Sequence, residues 1–266
     1  MYRALSAHYD QLYQEHLEAF QRRLVTTFPE STKYTDFYPS IGVPAKKPVE
    51  FLFYGQAVGG WQPEHDYVTL LPDNRVGISR EYSNKPYATD SPLNWVNVMW
   101  SKRAPDKWEG QRQAYSQAFG TYNPSRSLFW QVITYMIQRK CGIESSSWAW
   151  TEKLVWSNLY KIAPQVSNPD EADRILQRPE CVGLVEQELV ELEPKYCVVL
   201  TNDAWWSHFR RGLKTVPVSK PTDGIVESVE RFGSTTIVVV KRPRMGSYKK
   251  TVELILPFLS DPVATV

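Results

Sequence analysis

The positions Leu5, Tyr9, Leu12, His16, Phe20 and Leu24 recur at steps of three and four residues. That period predicts an amphipathic helix over about residues 2–27. A proline-containing connection, FYPSIGVPAKKP, follows, and then VEFLFY, a short apolar run bounded by Gly55 that reads as a buried strand. Residues 61–126 show no sustained period; they read as a long elaborated connection with one helix around Trp108–Phe119. SLFWQVITYMIQRKCG places Leu128, Val132, Tyr135 and Met136 on one helical face and closes on Lys, Arg and Gly142, the chemistry of a helix C-terminus.

Three more strands follow. KLVW supplies Leu154 to Trp156 before the chain turns polar at Ser157-Asn158, KYCVVLTND is a second apolar run, and GSTTIVVVKRP a β-branched third. Between the first two of these lies a helix that starts at Pro179 and stops at Pro194, and SYKKTVELILPFL closes the chain as a helix. Four apolar strands separated by helices predict a three-layer α/β/α domain around a central four-stranded, mostly parallel sheet, since parallel neighbours require crossovers and are covered on both faces. One domain is expected, with the first helix and the 61–126 segment as decorations.

Composition changes little in this picture. An apolar share of 42% suits a chain with a core, and 13% aromatic residues, ten of them Trp, leave rings available for a pocket wall. No apolar run approaches the roughly 18 residues that span a bilayer, and no membrane partner is expected. Three cysteines without C-x-x-C spacing argue against a disulfide framework or a structural zinc, and the four scattered histidines suggest no metal site; a cytoplasmic location fits. The formal charge is only +2, but between Trp205 and Lys250 ten basic side chains face three acidic ones, so the basic charge is local and the remainder of the chain is net acidic.

In open parallel sheets ligands bind beyond the carboxyl ends of the strands. Each predicted strand ends in polar residues: Gly55-Gln56, Ser157-Asn158, Thr201-Asn202-Asp203 and Lys241-Arg242. A parallel sheet brings all four to one rim. GQAVGG lacks the Gly-Lys-Ser/Thr ending of a P-loop and does not match G-x-G-x-x-G. Asp203, Ser207 and His208 do not form a hydrolase triad, because Ser207 adjoins its own His and no G-x-S-x-G elbow is present.

The order of these segments resembles the uracil-DNA glycosylase superfamily. FLFYGQAVGG is similar to that superfamily's first motif, with Gly55, Gln56 and Ala57 in matching places and Val58 where Pro is usual. WSNLYKIAP resembles the later strand whose Asn reads a base edge, which assigns that role to Asn158. EPKYCVVLTNDAWW resembles the strand that ends in a small residue, here Ala204, and VVVKRPRMGS stands where the family carries His-Pro-Ser, with Arg242 in place of His. The likeness runs from about Val49 to Leu259 and leaves the first helix outside.

The resemblance implies a DNA-base glycosylase that extracts a damaged or deaminated base, uracil-like, and hydrolyses its bond to the sugar. On that reading Gln56 orients water, Asn158 reads the base and Arg242 stabilises the departing anion. Gly55, Ala57, Gly59, Tyr82, Asn202 and Ser247 would contact the substrate, with Trp61, Tyr67 and Tyr87 as further stacking candidates. Arg244, Lys249 and Lys250 would hold DNA phosphates, and no cofactor or metal is called for. Gln56 and Ala57 occupy positions where branches of the superfamily carry Glu and Asp; an amide orients water but cannot take its proton. Asp66, with His65 beside it, is the nearest replacement carboxylate. The alternative is a non-catalytic nucleobase or nucleic-acid binder that keeps the glycosylase fold.

Overall fold

The computed structural model describes residues 5–27, 33–42, 48–57, 64–66 (backbone only), 74–84, 91–100, 110, 113, 123–165, 167–222, 224–243 and 247–259. Helix α1 (Ala7–Thr27) is followed by the short strands β1 (Lys33–Asp36) and β2 (Ser40–Ile41), the apolar β3 (Phe51–Gly55) and β4 (Glu64–Asp66). Helices α2 (Arg75–Asn84), α3 (Asn94–Met99) and α4 (Leu128–Cys141) precede β5 (Leu154–Asn158) and β6 (Ile162–Pro164). Helix α5 (Glu171–Leu192) leads to β7 (Tyr196–Val199), α6 (Asp203–Leu213), β8 (Val216–Ser219), β9 (Val226–Phe232), β10 (Thr235–Val240) and α7 (Tyr248–Ile255).

The class is α/β with a mixed sheet. Strands β5, β3, β7 and β10 are the four apolar runs anticipated from sequence, and they lie parallel in that order. The sheet is larger than expected, seven strands among the described residues: β2 pairs antiparallel with β5, and the hairpin partners β9 and β8 extend the far edge. A separate three-stranded antiparallel sheet joins β4, β1 and β6.

Side chains alternate across the parallel strands and feed two cores. Leu52, Tyr54, Val155, Cys197 and Val199 meet α1, α5 and α6 on one face. Phe51, Phe53, Trp156, Tyr196 and Val198 meet α3, α4 and α7 on the other. Helix α1 belongs to the first core: Tyr9, Tyr13, Leu17 and Phe20 are fully buried. Burial of each side chain of that size is worth about 1.5–3 kcal/mol.

Two sequence expectations need correction. The 61–126 segment is not uniformly irregular, since it contains α2 and α3; its expected helix at 108–119 falls almost wholly outside the described residues. Helix α2 is too polar to show an apolar stripe, and polar contacts hold it: Arg75 pairs with Asp36 at 2.5 Å, both fully buried, and Ser79 also donates to Asp36. Helix α5 begins at Glu171, with Pro179 inside it, because Asp170 and Asp173 form a reciprocal cap two turns earlier. The end of α4 matches expectation, with Gly142 at φ 65° accepting the left-handed turn.

His16 lies at 0% exposure among α1 and α5, its Nε2 3.8 Å from the Cys181 thiol. Burial, reinforced by the positive charges of Lys161 and Arg23 against Glu180, pushes its pKa down to about 3. The unfolded chain binds a proton here below about pH 6.5, whereas the native chain does not until about 3, so stability is full above 6.5 and falls as pH drops through that window. The expected slope approaches about 1.4 kcal/mol per pH unit. Urea midpoints at pH 7 and pH 5 for wild type and His16→Gln test this: the variant should lose part of the difference.

Candidate functional site

The site is set by topology. From β3 the chain crosses to β5 by way of α4 on one face, whereas β5 to β7 and β7 to β10 cross by way of α5 and α6 on the other. Connections leaving the neighbours β3 and β7 therefore diverge to opposite faces, which opens the crevice in such sheets at their carboxyl ends. At this rim Gly55 pairs in register with Asn158, and Leu200 N–H donates to Tyr54 O at 3.0 Å. Leu159 N–H donates to Gly55 O at 3.0 Å and Tyr160 N–H to Gln56 O at 3.1 Å, so the backbone beyond β3 stays clamped to the chain beyond β5.

The alternation decides which side chains face which layer. Tyr54 and Ser157 point toward α5, and Gly55 and Asn158 toward α4. A Cβ on Gly55 would stand 2.5 Å from Asn158 Oδ1 and 3.6 Å from Cε2 of the half-buried Phe129, in the first turn of α4. The missing side chain at position 55 is thus the space that Asn158 occupies, rather than an opening for a ligand backbone contact. Asn158 is 1% exposed, and its Nδ2 has no hydrogen-bond partner among the described residues. A buried polar group left in that state costs about 1–3 kcal/mol.

The Asn158 backbone is equally constrained from the opposite face. Lys161 Nζ donates to Asn158 O at 2.6 Å and to Ser157 Oγ at 2.8 Å, and pairs with Glu188 of α5 at 2.6 Å, both ions at 0% exposure. Glu188 also accepts from Tyr9 Oη of α1 at 2.6 Å and from Tyr54 Oη at 2.8 Å. Neither Phe129 nor this network was singled out from sequence. The visible signal for Glu188 was its spacing: with Val185, Leu189 and Leu192 it falls on the buried stripe of α5, where a carboxylate needs partners.

The other anticipated residues are distributed as follows. Gln56 is half-buried, and its backbone carbonyl accepts from Tyr160 N–H. Ala57 packs against the α1–α5 core, and Tyr82 of α2 against the α4 core. Arg242 is exposed two residues beyond β10, on the shared rim but two strands from β3, a lateral step of about 10 Å. Ser247 caps α7 by accepting from Lys250 N–H at 3.4 Å, Lys249 Nζ stands 5.8 Å from the Tyr135 ring centre, and both lysines are exposed. Gly59, Trp61, Tyr67, Tyr87 and Arg244 lie outside the described residues, as do the side chains of His65 and Asp66.

Asn202 caps α6, its Oδ1 accepting from Trp205 N–H at 3.1 Å, and it does so at φ 121°. That backbone region favours glycine and costs other residues of order 1–3 kcal/mol. Asn202→Gly is expected to match or exceed wild-type stability, because glycine loses only a few tenths of a kcal/mol as a cap. Asn202→Ala should lose about 1 kcal/mol with the cap and keep the strain. Thermal melts of the two variants separate these effects.

Beside Asn202, Asp203 N–H donates to Glu227 at 2.5 Å, and Asp203 itself pairs with Arg210, which also holds Glu230. Burial pushes the Glu230 carboxyl up, but hydrogen bonds from Arg210, Ser228, Thr215 and Trp206 outweigh it and hold its pKa below the usual value. Arg211 donates to His208 Nδ1 at 2.8 Å, so Asp203 and His208 are engaged with separate arginines and no relay joins them. Among the described residues no group of three or more His, Cys, Asp or Glu is placed to hold a metal ion, and no helix is long and apolar enough to cross a membrane.

Fold and site define an α/β protein in which the ends of two neighbouring parallel strands bury the Asn158 amide with its Nδ2 unpartnered among the described residues. Compared with models of protein families and with curated proteins, the chain matches none.

Proposed function

We propose that the chain binds a nucleobase at the ends of β3 and β5 and hydrolyses the N-glycosidic bond joining a damaged or deaminated, uracil-type base to DNA. One observation carries the reading: the Asn158 amide is buried with Nδ2 unpaired among the described residues, beside Gly55 and the ring of Phe129. An amide reads a base edge by offering a donor and an acceptor side by side, and an aromatic ring offers a stacking surface. The motif order, similar to that of the uracil-DNA glycosylase superfamily, supplies the substrate class, and Arg242, Lys249 and Lys250 add positive charge beyond β10 and at the start of α7 for a phosphate backbone.

In the reaction the bond between base nitrogen and C1′ breaks with its electron pair leaving on the base. The sugar carbon gains positive character, the oxygen of water bonds to it, and the proton that water loses passes through solvent to the departing base anion, leaving the neutral base and a hydroxyl on C1′. Asn158 donates to the base carbonyl as its charge grows and Gln56 orients water, whereas Arg242, three strands from β5, is left to the phosphate backbone. A second reading, nucleobase binding without cleavage, is favoured by the amide at Gln56, which cannot take the proton of water.

Base release from single- and double-stranded oligonucleotides carrying uracil or hypoxanthine tests the two. Release by wild type, reduced about 100-fold in Asn158→Ala as expected for losing one donor to a developing anion, supports hydrolysis. Base-dependent and salt-sensitive binding without release supports the second reading, and the absence of both overturns the site.

A further inference from the structure

We infer that Lys161, Glu188 and Tyr9 form a positioning relay that fixes Asn158, so that the N-terminal helix is a working part of the base-recognition site; the inference rests on the nucleobase reading of Asn158. Lys161 Nζ has three donors, and all three are spent: Asn158 O at 2.6 Å, Ser157 Oγ at 2.8 Å and Glu188 Oε1 at 2.6 Å. Glu188 Oε1 also takes the Tyr9 hydroxyl, and Glu188 Oε2 takes Tyr54 of β3. One carboxylate therefore joins α1, α5, β3 and the last two residues of β5.

The relay approaches Asn158 from the face opposite its side chain. With the carbonyl held from the α5 side and the peptide beyond it clamped by Leu159 N–H on Gly55 O, the Cα–Cβ bond of Asn158 has one direction, toward Gly55 and Phe129. A pair of ions at 0% exposure is not required for stability alone, because apolar side chains of like volume often replace such a pair at no loss. What an apolar pair cannot supply is a grip on the Asn158 carbonyl. Tyr9 is fully buried and edge-on to Tyr38 at 5.4 Å, so α1 delivers its hydroxyl to Glu188 from a fixed place.

The test uses the full chain as wild type, Lys161→Met/Glu188→Leu, Tyr9→Phe and Asn158→Ala. The first readout needs no ligand: the side-chain NH2 resonances of Asn158 in the free protein. The inference expects one sharp pair in wild type and a shifted or broadened pair in the double variant, at a urea midpoint above that of Glu188→Leu alone, with a smaller shift in Tyr9→Phe. An Asn158 pair unchanged in a folded double variant overturns it. Should the double variant not fold, Tyr9→Phe decides alone, and an unshifted pair there overturns the relay.

The second readout is binding of a single-stranded oligonucleotide with one uracil against the same strand with an abasic site. The double variant is expected to lose about tenfold in that preference, equivalent to about 1.4 kcal/mol, with its salt dependence unchanged. Full preference in the folded double variant contradicts the relay, whereas equal preference in wild type and Asn158→Ala contradicts the nucleobase reading instead.

Discussion

Gly55→Ala is expected to remove base-dependent binding, by about tenfold or more, while leaving the fold intact. The added methyl would stand 2.5 Å from Asn158 Oδ1, inside any permissible contact. The nearest atom is the end of a side chain, so the conflict is relieved by turning the Asn158 amide rather than by moving strands. The 3.6 Å approach to Phe129 is an ordinary contact. Gly55 has no positive φ, and alanine in its place removes unfolded-chain freedom worth about 0.4–1 kcal/mol, which offsets part of the local repacking. Urea titration should therefore place the variant within about 1 kcal/mol of wild type. Oligonucleotide binding should show uracil and abasic strands bound alike. A variant that still prefers uracil would mean that Asn158 does not read the base.

Glu188→Leu is expected to carry the largest stability loss. It leaves Lys161 charged and fully buried with its counter-ion gone, and it takes the acceptor from the hydroxyls of Tyr9 and Tyr54. Breaking one side of a buried pair costs about 3–5 kcal/mol, a large part of the roughly 5–15 kcal/mol of a typical domain. Adding Lys161→Met to that variant should restore part of the loss, because the orphaned charge disappears with it while the hydroxyls of Tyr9 and Tyr54 remain without their acceptor. Urea midpoints of the single and double variants measure this directly. A single variant as stable as wild type would place Glu188 outside the network described here.

The parallel centre of the fold was legible in the sequence because its strands are buried on both faces. FLFY, LVW, YCVV and TIVVV are near-continuous apolar runs, each ending where the chain must turn polar. Strand β9 was hidden because VESVERF alternates charges with valines, and one of those charges, Glu230, is buried against four donors. The start of α5 was obscured by Pro179, which looks like a first-turn residue, while the real signal was the Asp170–Asp173 cap. Helix α2 is polar on its buried side, Arg75, Ser79 and Ser83, and is held by hydrogen bonds that leave no periodic trace, such as Asn84 receiving Ile41 N–H at 2.8 Å, while the six residues of α3 are too few to show a period.

The candidate site was legible in part. Polar strand ends pointed to Gly55 and Asn158, which do pair. Which face each side chain takes depends on register, and so Ala57 packing in the α1–α5 core and Asn202 serving as a cap required coordinates. Phe129 becomes a neighbour of Gly55 only through the packing of α4 on the sheet.

The most direct measurement is the Asn158 side-chain NH2 signal followed during titration with a uracil-containing single strand and, separately, with its abasic counterpart. A base site at the ends of β3 and β5 predicts a saturable shift of that pair with the uracil strand and little change with the abasic one. An Asn158 signal unmoved by either strand, while the protein is shown to bind both, would contradict it.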